Sequence, residues 1–208
     1  MKERSLEATI FSPTAVVQAA FTAATTDIIT SNAHGLSEGD CIWVSSATTL
    51  PAGLSASTNY YVRDVTTNTF KVSATPGGTA VDITDTGTGV HTYNLKGKAL
   101  YTGDWKHIIV HLTFSSTPTM TVKVQGSLAD DAPDFNAAQS ITNRWDYLEV
   151  IDLQSGTAID GDTGVACAGT ADNRIFEVNV NAMTWLTIAI TAWTAGNLGV
   201  KVVCYENL

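Results

Sequence analysis

Basic residues and cysteines are scarce in this chain. Its 208 residues include 11 Lys and Arg against 20 Asp and Glu, which gives a net charge of −9. An acidic surface repels phosphate groups and offers no basic stripe for counterion release, so we expect no nucleic-acid partner. The three cysteines, Cys41, Cys167 and Cys204, are too few and too far apart for a disulfide framework or a paired zinc site. We expect all three to be buried in strands.

Long apolar runs are also missing. Residues 1–7 carry charges but are followed by no apolar core of the length that a secretory signal requires, and no run approaches the length of a membrane span. The sequence therefore predicts a soluble chain with no membrane partner and no export by the general secretory pathway.

Several catalytic and cofactor motifs are absent too. The chain contains no Gly-x-x-x-x-Gly-Lys-[Ser/Thr], no dinucleotide fingerprint and no His-Glu-x-x-His. We therefore expect no catalytic residues, no cofactor and no enzymatic activity. A glycan hydrolase stays open as an alternative, because two carboxylates distant in sequence can converge in a fold.

Alternating apolar residues and turn formers dominate what is present. Charged residues make up only 15% of the chain and glycine occurs 16 times, a profile that favours strands joined by tight turns over helices. An apolar content of 44% is enough to fill hydrophobic cores. We predict an all-β fold with a small barrel-like β module and an antiparallel β-sandwich or jelly-roll domain.

Three segments differ in their pattern. Residues 1–24 form an N-terminal arm or the first strands of the sandwich, residues 25–95 form the small β module, and residues 98–208 form the sandwich. The module is either inserted in a loop of the sandwich, as a compact unit with adjacent ends can be, or precedes it in series.

The sandwich segment contains runs of period two. Residues 105–114 alternate with apolar residues on both faces, which predicts a central strand, and residues 120–125 alternate with one apolar face. Residues 145–153 read as a further strand after a loop over 128–143. Three more runs predict a hairpin meander with turns at Asn181-Ala182 and Ala195–Asn197. These runs are Phe176/Val178/Val180, Leu186/Ile188/Ile190 and Leu198/Val200/Val202/Cys204.

A specific string of short motifs marks the turns of residues 27–93. In chain order these are His34-Gly-Leu-x-x-Gly-Asp40, Leu50-Pro-Ala-Gly-Leu54, Tyr60-Tyr-Val62, and Thr69-Phe-Lys-x-Ser73 leading into Pro76-Gly-Gly78. The string resembles a small β domain that is common in bacteriophage virion proteins, often in tail, baseplate or other exposed structural components. It covers about a third of the chain.

The resemblance implies a virion structural protein that acts by adhering to its neighbours. The expected partners are the major capsid protein or other virion subunits, together with further copies of the chain in a homo-oligomer. The expected location is the outer surface of a virion whose subunits are made in the host cytoplasm. Short length and acidic charge favour a head decoration, or cement, protein. The alternative is a tail or baseplate protein that binds a receptor or a host surface glycan, and a virion-attached glycan hydrolase is a third reading.

Two groups of residues are the candidate contact sites. An apolar N-terminal arm is predicted to contact neighbouring subunits through Leu6, Ile10, Phe11, Val16, Val17 and Phe21. Two loops of the module are predicted to form an outward-projecting tip through Leu50, Pro51, Leu54, Pro76, Gly77 and Gly78.

Metal and sugar sites have weaker signals. His107 and His111 lie on one face of a strand, roughly 13 Å apart at their Cα atoms, which is too far to share a zinc ion. Residues 130–134 and 160–164 are acidic loops in which we expect turns, and whether Asp160 and Asp162 bind a cation stays open. The aromatic residues are expected to anchor sheet faces, with a sugar-binding platform as the alternative. They are Trp43, Trp105, Trp145, Trp185, Trp193, Tyr60, Tyr61 and Tyr147.

Overall fold

The computed structural model describes residues 5–114, 117–169, 173–178 and 183–206. Within these ranges every regular element is a β-strand, and the strands build a closed barrel and two antiparallel sheets. The predicted all-β fold with a barrel-like module and an antiparallel sandwich is therefore confirmed. By its internal contacts the chain divides into two compact units, residues 14–96 and residues 1–13 with 97–208.

Six strands close the barrel of the first unit, in the spatial order β2-β3-β6-β5-β4-β7. Alternate residues point inward, so Ile42 and Val44 of one strand and Phe70 and Val72 of another are almost fully buried. Because the sheet closes on itself, the barrel has no open strand edge. Its strands are β2 (Gln18–Ala23), β3 (Ile29–Thr30), β4 (Cys41–Ser46), β5 (Tyr60–Arg63), β6 (Thr69–Ser73) and β7 (His91–Lys96).

The His-Gly-Leu-x-x-Gly-Asp motif forms the turn that leads into β4. The Nδ1 atom of His34 accepts a hydrogen bond from the Leu36 N–H at 3.0 Å, and the Asp40 carboxylate accepts one from the Ser37 N–H at 2.8 Å. Gly35, between these residues, has a φ of 61°, in the left-handed region that glycine enters without steric cost. The motif is thus a self-bonded turn, which explains its exact residue types.

Two sheets make up the second unit. One has the order β1-β17-β9-β15-β12-β13 and the other the order β11-β10-β16-β8, with β14 also pairing with β10. The six-stranded sheet contains β1 (Ser5–Phe11), β9 (His107–Phe114), β12 (Val150–Asp152), β13 (Thr157–Ile159), β15 (Arg174–Val178) and β17 (Leu198–Tyr205). The other contains β8 (Leu100–Tyr101), β10 (Thr119–Ser127), β11 (Asp146–Leu148), β14 (Val165–Ala168) and β16 (Trp185–Ala195).

Period-two patterning predicted the central strands of this unit well. β9 lies between β17 and β15, as the two apolar faces of residues 105–114 predict, and Ile108, Val110 and Leu112 are buried. In β10, Met120, Val122 and Val124 are buried, while Thr121 and Lys123, which alternate with them, are half-buried. Each sheet therefore buries one apolar face, which is the condition for a sandwich core.

The predicted hairpin meander at the C-terminal end is wrong. β15 and β17 both pair with β9, whereas β16, which lies between them in sequence, pairs with β10 and β8 of the other sheet. The chain therefore changes sheet at each connection. Alternation shows which face of a strand is buried but not which strand lies beside it, so the pattern fits both arrangements. Val180, Asn181 and Ala182, which belonged to this prediction, lie outside the described residues.

The single strand predicted over residues 145–153 is two strands in the structure. Residues 145–153 contain β11, which pairs with β10, and β12, which pairs with β15 in the other sheet. The chain crosses between the sheets at Glu149, an exposed residue between the two short strands. Both pieces alternate in the same way, so the crossing leaves no break in the sequence pattern.

The three cysteines lie in strands and are buried, as predicted. Burial raises the pKa of the Cys167 and Cys204 thiols to about 11. Because only the thiolate is a good nucleophile, both residues are unreactive at neutral pH.

Candidate functional site

The residues predicted as an N-terminal contact arm belong to the two units themselves. Residues 5–11 form β1, which pairs along β17, while β2 is a barrel strand that pairs with β7 and β3. Only Leu6 and Val16 are half-buried. The other four are core side chains, because a strand that completes a sheet turns its apolar side inward. These are Ile10, Phe11, Val17 and Phe21, each with at most 5% of its surface exposed. A free apolar arm is therefore not what this segment forms.

The predicted tip is likewise more buried than expected. Pro51 and Leu54 are buried beneath their own loop, Leu50 and Gly78 are half-buried, and Pro76 and Gly77 are exposed. The Ala52 N–H donates to the Asp85 carboxylate at 2.8 Å and the Leu54 N–H donates to the Pro51 carbonyl at 3.0 Å. The apolar residues of the loop therefore hold it in place. What it presents to solvent is Gly53 and residues 55–57, which read Ser-Ala-Ser.

The tryptophans form no common platform. All five are half-buried, Tyr60 is buried, and the indole N–H groups of Trp43, Trp145, Trp185 and Trp193 each donate to an acceptor of the same chain. The ring face of Trp43 is covered by the ammonium group of Lys96, 4.4 Å from the ring centroid. This arrangement agrees with the expectation that tryptophans anchor sheet faces.

His107 and the acidic loop 160–164 have partners within the chain. The His107 ring lies 3.7 Å from the Glu177 carboxylate and stacks on Tyr205. In the loop 160–164 the Asp160 carboxylate accepts the N–H groups of Asp162 and Thr163, at 3.0 and 3.2 Å, as a turn residue does. Within the ranges that the structure covers, no three His, Cys, Asp or Glu side chains come together as metal ligands would.

Residues 35–39 read Gly-Leu-Ser-Glu-Gly and match the Gly-x-Ser-x-Gly spelling of hydrolase nucleophiles. That motif requires a strand, a sharp turn and a following helix. Here the five residues form a turn that leads into strand β4, and Ser37 is the exposed residue whose N–H is bound by Asp40. The geometry is therefore that of the barrel turn and not of a nucleophile elbow.

A groove of about 680 Å³ lies beside β10 and β11 in the second unit. Its lining residues come from the ends of these strands, from the loop that connects them and from Met183. Its apolar lining includes Leu128, Ile141, Trp145 and Leu148. We refer to it below as the 128–148 groove.

Two apolar side chains of the groove are strongly exposed. Ile141 has 92% of its surface accessible and Leu128 has 63%. Burial of a side chain of this size stabilises by about 1.5–3 kcal/mol, so leaving both in water forgoes a substantial free energy. Exposed apolar residues grouped in a concave surface are typical of a site that binds another molecule.

A network of hydrogen bonds holds the groove loop. The Asn143 side chain donates to the carbonyls of Asp134 and Ala138 at 2.8 and 3.1 Å and accepts the Asp134 N–H at 2.9 Å. The buried Gln125 amide donates to the Phe135 carbonyl at 3.0 Å, which ties the loop to β10. The exposed apolar residues are therefore presented by a fixed loop, which lowers the entropy cost of binding.

The side chains of the groove suit recognition of a protein chain. Trp145 contacts Tyr147 and Phe135, with ring centroids 5.3 and 6.3 Å apart. Arg144 is exposed, and its guanidinium has no partner among the residues that the structure describes. Tryptophan and arginine beside aliphatic residues are the composition of protein–protein contact centres.

Sequence reasoning missed this groove. Residues 128–143 were correctly expected to form a loop, yet Leu128 and Ile141 within it were given no role. An isolated apolar residue in an otherwise polar loop was the available signal, because loop residues are normally in water.

Comparisons with known proteins give little similarity. No protein-family model and no curated protein matches the chain. Among solved structures, the SPBc2 prophage-derived protein YomS aligns with a TM-score of 0.36 and 14% identity over 53% of this chain and 80% of that chain. These values are too low to define a shared fold. The described residues also contain no helix that is long and apolar enough to cross a membrane.

Proposed function

We propose that this chain is a structural protein of a bacteriophage virion that acts by adhering to other subunits. More specifically, we propose a decoration protein that binds the outside of the head. The viral part of this proposal depends on the string of motifs in residues 27–93. Its members build connected turns and strands of one closed barrel, as expected if the string marks a single domain.

The observation that carries the adhesive part is the 128–148 groove. It combines two strongly exposed aliphatic residues with Trp145 on a loop fixed by hydrogen bonds. Such a surface gains free energy when a neighbouring chain covers it. Many identical subunits on a symmetric lattice would each add one such contact, and together these contacts would hold the lattice firmly.

The acidic charge favours the outer surface of a head. A net charge of −9 is repelled by packaged DNA, so an interior location would be unfavourable. The loops around residues 50–54 and 75–78 of the barrel are the proposed outward-projecting tip.

Quantification of the chain in purified virions tests the proposal. A decoration protein is expected in a copy number comparable with that of the major capsid protein, and particles depleted of it should lose capsid stability. A copy number far below that of the capsid protein would point to the tail or baseplate. Absence from finished particles would refute a virion role altogether.

A substitution in the groove tests the adhesive surface. Ile141→Asp should abolish or strongly reduce incorporation, because it places a charge at the most exposed apolar position of the groove. Val90→Asp is the matched control, since Val90 is an apolar residue with 62% exposure on the barrel. Normal incorporation of the Ile141→Asp variant would show that the groove is not the contact surface.

A further inference from the structure

The groove lies in an acidic stretch of the second unit. Residues 128–149 contain five acidic residues and one basic residue, Arg144, and therefore carry −4 of the net charge of −9. All five acidic residues are exposed. They are Asp130, Asp131, Asp134, Asp146 and Glu149.

Three of these acids have no ion pair within the described part of the chain. Asp130, Asp131 and Glu149 form no salt bridge with any described residue. Asp146, by contrast, accepts hydrogen bonds from the Tyr147 N–H at 2.8 Å and from Gln139 at 3.3 Å. Asp130 and Asp131 directly follow the lining residue Ala129 in sequence, and Glu149 directly follows Leu148. The apolar lining therefore has exposed carboxylates next to it in the chain that form no salt bridge with a described residue.

This distribution disfavours a second copy of the chain in the groove. If two grooves faced each other, their two sets of acidic residues would be brought together with only one arginine on each side. Like charges placed opposite one another at an interface repel and suppress that pairing. A partner of opposite charge would instead be attracted to the groove and held by its apolar lining.

We infer that the 128–148 groove binds a segment of a different protein in which apolar side chains are flanked by lysine or arginine. The inference rests on the proposed function, in which this groove is the adhesive surface, and specifies the chemistry of its occupant. The apolar side chains lie against Leu128, Ile141 and Trp145, while the flanking cations lie beside Asp130, Asp131 and Glu149. Homo-oligomers, where they form, use another surface.

Selection from a random peptide library tests this inference with the purified full-length chain. Peptides that bind the chain but not its Ile141→Asp variant should combine apolar residues with lysine or arginine. Ile141 is almost fully exposed, so this variant should fold normally, and its circular dichroism spectrum should match that of the parent chain. Ile141→Asp should weaken binding of the selected peptides by about 10-fold or more.

Charge variants separate the electrostatic part from the apolar part. The double variant Asp130→Asn, Asp131→Asn should weaken binding by about three- to ten-fold, the effect of two rim charges. Raising NaCl from about 50 to about 300 mM should reproduce that loss in the parent chain. The double variant Asp82→Asn, Asp104→Asn removes two exposed acids elsewhere and should bind as the parent does.

Several results would overturn the inference. Selected peptides that are acidic or uncharged, no peptide that requires Ile141, or self-association that Ile141→Asp abolishes would each do so. Because the selection uses the isolated chain, its result is independent of whether the chain occurs in virions. Absence from virions would refute the proposed function, whereas the wrong peptide chemistry would refute only this assignment of the occupant.

Discussion

His34 is a buried titratable residue whose two nitrogens differ in their surroundings. Nδ1 accepts the Leu36 N–H, so the proton of the neutral ring is on Nε2, which has no hydrogen-bond partner among the described residues. Burial lowers the pKa of His34 from its ordinary value of 6.5, against a smaller opposing effect of main-chain groups of Thr69 and Thr66. The folded barrel therefore favours the neutral ring.

The barrel should consequently lose stability in mild acid. In the unfolded chain His34 takes up a proton near pH 6.5, and in the folded chain only at lower pH, so this part of the stability is full above pH 6.5 and decreases below it. Urea unfolding at a series of pH values measures the effect. His34→Asn, which keeps an acceptor for the Leu36 N–H but does not titrate, should flatten the pH dependence. Identical pH profiles for the parent and His34→Asn would contradict this account.

Two glycines of the same turn should respond differently to substitution. Both Gly35 and Gly39 have positive φ, but a methyl group at Gly35 would overlap the main-chain carbonyl of Thr14, while Gly39 has open space around it. Gly39→Ala should cost about 1 kcal/mol for the left-handed conformation alone, and Gly35→Ala should cost at least about 2 kcal/mol more because the backbone must shift. The free energies of unfolding in urea provide the comparison, and equal costs would show that the close approach to Thr14 is unimportant.

At the scale of elements, β1 is part of the sheet and not a detachable arm. It pairs with β17 from Ser5 to Phe11, with a register shift between Thr9 and Phe11, and ends in two buried residues. Glu7 on its outer side forms a salt bridge with Lys201 of β17. The charge and the irregular register both protect this edge of the sheet from adding further strands.

Truncation of Phe11 tests this role of β1. Phe11 has 1% of its surface exposed, so Phe11→Ala should destabilise the second unit by about 3–5 kcal/mol. Leu6→Ala, in the same strand but half-buried, should cost clearly less. Thermal unfolding followed by circular dichroism distinguishes the two variants. An unchanged melting temperature for Phe11→Ala would mean that the strand is a separate contact element after all.

A strand could be predicted from sequence where its own residue pattern was enough to define it. The alternation in residues 105–114 and 120–125 predicted β9 and β10 because the pattern reports which face meets the core. Pairing partners were not predictable, since β15, β16 and β17 alternate identically whether they form a meander or change sheets. The crossing at Glu149 was missed for the same reason.

For the whole molecule, features built from residues close together in sequence could be predicted, whereas features built from residues far apart in sequence could not. The turn motifs of the barrel are local, so residues 34–40 could be read directly from sequence. The 128–148 groove depends on a loop that Asn143 and Gln125 hold against β10, and such tertiary contacts leave only weak traces in the sequence. Four of the predicted arm residues are core side chains, because an apolar residue fits a core as well as an interface, and their role as subunit contacts stays a prediction.

The central claim is that this chain functions by fitting against neighbouring virion subunits, and density for intact particles tests it most directly. The account predicts that the chain can be traced on the outer surface of the head, with the groove around Ile141 and Trp145 covered by a segment of another protein. Particles that lack the chain, or density in which this groove faces solvent in every copy, would contradict it.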